Sequence, residues 1–150
     1  MKKAFLTILI SLFICSLTHA AEIKWYTWNE GYELAKKENK PMLVFVYAPW
    51  CNVCKRLEEK TFNDEQVIPL INEKFIPVKL NPEEKIEYQL GDKKIGTGKI
   101  LQALTIDASK GLHLPTTVLW YADSKNGKVL AGLMDPTQLK KALSGKLKKR

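Results

Sequence analysis

Two cysteines three positions apart, in Trp50-Cys51-Asn52-Val53-Cys54, restrict this chain more than any other feature. They follow an apolar run, Pro41-Met42-Leu43-Val44-Phe45-Val46-Tyr47. They open a stretch of helical character, Lys55-Arg56-Leu57-Glu58-Glu59. Residues at that spacing on a helix lie about one turn apart on the same side. Such a separation suits a disulfide that closes and opens with little backbone movement. Thiol–disulfide exchange is the chemistry to expect.

The start of the chain bears on the cysteine count. Lys2 and Lys3 form a short positive region, and residues 4–17 are apolar apart from Thr7, Ser11 and Ser16. The run is short for a bilayer span, and Thr18-His19-Ala20 offers a cleavage site. A secretory signal peptide over residues 1–20, cut after Ala20 or Ala21, is expected. An uncleaved anchor is the alternative. A lipoprotein is not expected, because Ile14 precedes Cys15 where a small residue is needed. Cleavage removes Cys15 and leaves Cys51 and Cys54 in a single domain of residues 21–150. Exported proteins usually use cysteines as staples, but a staple gains most by closing a long loop, and this pair closes a very short one. A chain of this length also buries a working core unaided. Cleavage lowers the formal net charge of +8 by the two leader lysines. Part of the remaining excess lies in Lys140, Lys141, Lys146, Lys148, Lys149 and Arg150, which reads as a solvated helix end. Nucleic acid is not an expected partner.

The apolar pattern orders the elements. Thr27 or Asn29 can cap a helix running to about Asn39. Residues 42–47 read as a central strand covered on both faces. A helix follows from Asn52, and Asn63-Asp64-Glu65 starts another, with Pro69 expected to kink it. Residues 75–80 read as a strand that Pro77 places near an edge or at an irregular position. A helix is expected over 97–109, on Ile100, Leu101, Leu104 and Ile106. A strand over 116–121 should then turn at Asp123-Ser124-Lys125-Asn126-Gly127 into a second arm over 128–133. Pro136 opens a last helix. Strands alternating with helices give one α/β domain with a mixed sheet.

Those elements carry a resemblance. Tyr47-Ala48-Pro49-Trp50-Cys51-Asn52-Val53-Cys54-Lys55 resembles the active-site segment of the thioredoxin-fold family, and Leu114-Pro115-Thr116 its cis-proline segment. Lys55-Arg56-Leu57-Glu58-Glu59-Lys60-Thr61-Phe62-Asn63-Asp64-Glu65-Gln66-Val67 and Gly132-Leu133-Met134-Asp135 are similar to the C-terminal thioredoxin-like domain of DsbD, the periplasmic disulfide reductase. The resemblance implies a three-layer sandwich with a central mixed sheet and flanking helices. It implies a periplasmic thiol:disulfide oxidoreductase that reduces protein disulfides and draws electrons from a membrane donor of the DsbD type. No cofactor beyond the Cys51–Cys54 disulfide is implied, and a monomer is expected.

The same resemblance assigns roles. Cys51 becomes the exposed attacking thiol at a helix N-terminus, where thiol pKa values fall, and Cys54 the deeper resolving thiol. Thioredoxins place a buried Asp six residues before the first cysteine. Phe45 stands there in this chain, so Glu58, four residues after Cys54 and matched by a Glu in the DsbD domain, is the candidate proton acceptor. Pro115, with Leu114 and Thr116, presents backbone to an extended substrate, and Trp50 and Pro49 form an apolar rim for partner docking, with core packing the alternative for Trp50. Residues 82–98 lie in an interval that thioredoxins cross more briefly, and alternation at Ile86, Tyr88 and Leu90 before Gly91-Asp92 suggests an inserted hairpin. Neither Asn52 nor Val53 is cationic, which favours a reducing to intermediate potential. Two alternatives stand beside the reductase: an oxidase or isomerase of the same fold, and a copper or zinc chaperone using Cys51, Cys54 and His113. Three candidates fall short of the four ligands of a structural zinc site, so no metal site is expected.

Overall fold

The five residues of Met42–Val46 form a strand in which every residue is buried, and the remaining elements are arranged around it. The structure, a computed structural model, describes residues 22–104, 113–122, 124 and 127–145. In chain order the elements are α1 (Trp28–Glu38), β1 (Met42–Val46), α2 (Asn52–Leu57), a π-helical turn (Glu58–Phe62), α3 (Val67–Lys74), β2 (Ile76–Leu80), β3 (Tyr88–Leu90), β4 (Lys93–Ile95), α4 (Thr97–Leu104), β5 (Thr116–Trp120), β6 (Lys128–Ala131) and α5 (Pro136–Ser144). β1 pairs in parallel with β2 and antiparallel with β5, and β5 pairs antiparallel with β6, in the order β2-β1-β5-β6.

Alternation along β1 divides the core. Leu43 and Phe45 pack with Leu57, Ile71, Leu139 and Leu143 from α2, α3 and α5. Met42, Val44 and Val46 pack with Trp28, Tyr32 and Ala35 of α1 and Ile100 and Leu104 of α4. A strand covered on both faces has no polar side to spare, which explains the unbroken apolar run. The result is an α/β three-layer sandwich with a mixed central sheet.

Local chemistry explains the boundaries. Thr27 precedes α1 in extended conformation, and the Glu30 carboxylate accepts from its backbone N–H at 3.0 Å and its hydroxyl at 2.7 Å. Asn39 ends α1 in the left-handed region at φ 53°, a conformation that Asn tolerates. β2 is an edge strand of the four-stranded sheet, as Pro77 requires. Ile76 donates to Pro41 and Leu80 accepts from Tyr47, so these residues face β1. On the outer side the Pro77 carbonyl accepts from Tyr26 at 3.0 Å, and the N–H that proline lacks falls on that side too.

Several boundaries differ from the sequence reading. Pro69 does not break its helix: it is the third residue of α3, in the first turn, where N–H groups have no intrahelical partner. The Asp64 carboxylate caps that helix from outside by accepting from the Gln66 and Val67 N–H groups at 3.0 and 3.1 Å. β6 ends at Ala131 rather than 133, because Gly132 turns the chain at φ 82°. The expected signal peptide, residues 105–109 of the expected helix and most of the turn at 123–127 lie outside the described residues. No helix among the described residues is long and apolar enough to cross a membrane.

Residues 88–95 form a separate two-stranded antiparallel sheet. Gly91, at φ 61°, supplies the positive φ needed at the first position of its two-residue turn. α1 grips this hairpin. Trp28 Nε1 donates to the Gln89 carbonyl at 2.8 Å, Asn29 Oδ1 accepts from the Gln89 N–H at 2.8 Å, Asn29 Nδ2 donates to the Glu87 carbonyl at 3.1 Å, and the Tyr32 hydroxyl accepts from the Gly91 N–H at 2.8 Å. Tyr88 packs its ring edge-on to Trp28.

Candidate active site

The site forms where β1 ends. Its last residue, Val46, lies opposite Thr116, the first residue of β5, so the segment leaving β1 and the segment entering β5 meet at one end of the sheet. Cys51 N–H donates to the Ala48 carbonyl at 3.0 Å, closing a turn that delivers Cys51 to the N-cap of α2. Its Sγ accepts from the Cys54 N–H at 3.1 Å. This is one of the backbone donors that a helix start leaves without an intrahelical partner. Cys51 and Cys54 are joined as a disulfide with Cα atoms 5.2 Å apart. Cys51 is less exposed than the sequence reading expects, at 6% against 1% for Cys54. Its sulfur is engaged by its partner and by the helix N–H. The order of access still places Cys51 outermost.

On the facing segment, the Leu114–Pro115 peptide bond is cis. Pro115 is buried, and its carbonyl accepts from Gly132 N–H at 2.9 Å. Thr116 is buried with its hydroxyl donating to the His113 carbonyl. Leu114 is half-buried and packs against the cluster that contains both cysteines. Its own N–H and C=O have no hydrogen-bond partner among the described residues. His113 is exposed, and among the described residues no three metal-ligating side chains come together.

Glu58 sits one turn beyond Cys54, where its N–H reaches the Cys54 carbonyl. Its carboxylate pairs with Lys79 of β2, a partner that sequence reasoning missed. The two are separated by 21 positions, and both side chains are about 30% exposed, at 31% and 28%. Lys79 Nζ also lies 5.4 Å from the Trp25 ring centroid and 5.2 Å from that of Tyr47. Phe45, at the position of the thioredoxin Asp, is fully buried and contacts the rings of Trp25, Tyr47 and Phe62. An aromatic cluster with a Lys–Glu pair on its outer side therefore occupies the place of a buried acid. Burial raises the Tyr47 phenol pKa, and the charges of Glu84 and then Glu58 raise it further.

Trp50 is the most exposed large apolar side chain described, at 66%. Core packing is thereby excluded for it. Its Nε1 donates to Glu83 at 2.8 Å, which ties the rim of the redox pair to residues 82–98. Glu83 also escaped sequence reasoning, since an exposed Glu thirty-three positions away carries no local signal.

Comparison with known proteins fits this geometry. Residues 9–94 match the model of the DsbH-type thioredoxin family, described as a protein of unknown function, DUF255. The chain belongs to this family. Spermatogenesis-associated protein 20 of Rattus norvegicus is 39% identical over 71 residues, covering 46% of the chain and 9% of that protein. The thiol:disulfide interchange protein DsbD of Yersinia enterocolitica is 50% identical over 59 residues, covering 35% of the chain and 10% of that protein. The chain thus spans about a tenth of the length of these curated relatives. A solved structure described as DsbH oxidoreductase superposes with a TM-score of 0.54 at 19% identity, covering 87% of the chain and 92% of that structure. A thioredoxin-fold protein from Helicobacter pylori gives 0.59 at 21% identity, covering 83% and 74%. At these identities the structural matches establish the thioredoxin fold. Within that fold the chain carries a CxxC pair, Cys51 and Cys54, joined as a disulfide at a helix start.

Proposed function

We propose that this DsbH-type thioredoxin is an exported, periplasmic reductase of protein disulfides. The reading rests above all on Cys51 at a helix start, one turn outside Cys54 and bonded to it. In the reduced protein the helix N-terminus favours the Cys51 thiolate. That thiolate attacks one sulfur of the client disulfide; a Cys51–client bond forms, the client S–S bond breaks, and the second client sulfur leaves as a thiolate. Cys54 then loses its proton, with Glu58 as acceptor, and attacks Cys51 Sγ. The mixed disulfide breaks, the client departs as a dithiol, and the protein is left in the oxidised state. Two electrons have passed to the client. A donor dithiol of a membrane protein of the DsbD type restores the Cys51/Cys54 dithiol by the reverse exchange. Leu114 supports client binding, because it packs against the cluster that holds both cysteines and its main chain, without a hydrogen-bond partner among the described residues, can bond an extended segment, with Thr116 shaping the cis-Pro115 turn. Trp50 provides an apolar surface against which the client docks.

Trapping tests the reading. Cys54→Ser should accumulate mixed disulfides on Cys51 with both donor and clients in the periplasmic fraction, and Cys51→Ser should accumulate none. A reduction potential between about −270 and −200 mV supports a reductase, whereas one near about −120 mV marks an oxidant. A Cys51 thiol that resists alkylation at neutral pH in the reduced protein overturns the redox role.

A further inference from the structure

A groove of about 250 Å³ opens between the end of β2, the segment before α1 and the start of residues 82–98. Its walls include Trp25, Tyr26, Tyr47, Lys79, Glu84 and Ile86. It is below the about 300–1,000 Å³ of small-molecule sites, and of a size for one long side chain. Its charge is unbalanced. Lys79 is committed to Glu58, whereas Glu84 is in no ion pair among the described residues. The field of Glu84 nevertheless reaches the groove, since its charge helps to raise the Tyr47 phenol pKa. Glu84 is exposed, and its main chain is fixed. Its N–H donates to the Asn81 carbonyl at 3.2 Å, its carbonyl accepts from the Thr97 hydroxyl at 2.9 Å, and its neighbour Glu83 is held by Asn81 Oδ1 at 3.1 Å. Glu83 in turn holds Trp50, next to Cys51.

We propose that this groove receives a lysine or arginine side chain of the disulfide-bearing partner, with Glu84 as the residue that reads its charge. The proposal rests on the redox function argued above and adds a specificity to it. Aromatic faces attract cations, as Lys79 already demonstrates against Trp25 and Tyr47. The methylene stem of the incoming side chain lies along Ile86, which is 44% exposed. Glu84 then gains the counter-charge that this chain does not supply among its described residues. Partner segments with an acidic residue at the same place are disfavoured, because they meet the like charge of Glu84.

The test uses three synthetic disulfide peptides that differ only in the residue flanking one cysteine: Lys, Gln or Glu. Second-order rate constants with the reduced protein at low salt should fall in that order, with a Lys-to-Glu ratio of about three- to tenfold, the range of exposed charge pairs and their reversal. Glu84→Gln should bring the ratio close to one, Glu84→Lys should invert it, and 0.5 M salt should compress it, about that concentration being enough to screen surface charge. Glu87→Gln, on the same segment but paired with Lys94, should leave the ratio unchanged. A ratio that survives Glu84→Gln overturns the proposal. If no peptide is reduced by any form, the redox reading falls, and the subsite is judged by binding of the same peptides with serine for cysteine, followed through Trp fluorescence. The Lys-over-Glu order in binding then supports the groove, and equal binding overturns it.

Discussion

Gly31→Ala sets two physical effects against each other, and their sizes decide the outcome. Gly31 lies within α1, where replacing glycine by alanine ordinarily gains about 0.5–1 kcal/mol through backbone entropy. Here a Cβ would lie 2.2 Å from Val78 Cγ2, with Tyr26 Cβ and Ile76 Cγ2 at 3.5 and 3.6 Å. Unbonded carbons settle at about 3.5–4.0 Å, so the overlap exceeds an ångström. Val78 cannot easily yield. It is fully buried and β-branched, and its strand is held by β1 on one side and by Tyr26 on the other. Overpacking a tight core costs about 1–3 kcal/mol, and an overlap this large belongs at the upper end. The net expectation is a loss of about 2 kcal/mol. Urea unfolding with the disulfide intact should show a lower midpoint at unchanged slope. In a Val78→Ala background the same substitution should cost nothing or give a gain, so the double-mutant cycle should yield strong coupling. Stabilisation by Gly31→Ala alone would refute the reasoning, since it would mean that α1 is free to move off β2.

Glu58→Gln should slow exchange near neutral pH by on the order of a hundredfold, the low end for a lost general base. Loss of its partly exposed pair with Lys79 should cost at most about 1 kcal/mol of stability, and equal rates for both forms from pH 6 to 9, about the span in which such a base acts, would remove Glu58 from the mechanism. Thr117 is buried with its hydroxyl lacking a hydrogen-bond partner among the described residues, so Thr117→Val should stabilise the fold by about 1 kcal/mol in the same urea assay; a loss would show that the hydroxyl is satisfied. Hydrogen bonds from the Thr27 hydroxyl and then its backbone N–H lower the Glu30 pKa from 4.5. A depressed folded-state pKa means a stabilising contribution that is complete above the unfolded value of 4.5 and lost as pH falls through the folded one. The Tm gap between the protein and Glu30→Gln should therefore hold at neutral pH and close in acid below 4.5, and a gap that widens in acid would contradict the capping role.

Much of this fold was legible because single residues constrain it. The apolar run at Met42–Val46 had to be a central strand, Pro77 had to lie where its missing N–H is not needed, and a CxxC pair at a strand-to-helix junction left few alternatives. The π-helical turn was not legible. Glu58–Phe62 has no Gly or Pro to announce it, and its anchors are tertiary: the Thr61 hydroxyl donates to the Met134 carbonyl at 2.6 Å, and Phe62 enters the aromatic cluster. The site was legible along the chain and illegible across it. Cys51 and Cys54 declare themselves by spacing, and the reading of Glu58 followed helix periodicity. Lys79 and Glu83 reach their partners Glu58 and Trp50 only through the placement of β2 and the segment after it. Pro69 misled because its position within the helix, and not its identity, determines its effect.

The grip of α1 on the small hairpin has a consequence for how this molecule can be altered. Asn29, Trp28 and Tyr32 hold main-chain atoms of residues 87, 89 and 91. Main-chain contacts do not read the identity of the side chains they hold. The outward residues of that ribbon, Lys93 and Lys94 among them, can be exchanged for others while the ribbon stays docked. The scaffold thus offers an interchangeable face on an unchanging frame, a natural place to graft new partner preferences.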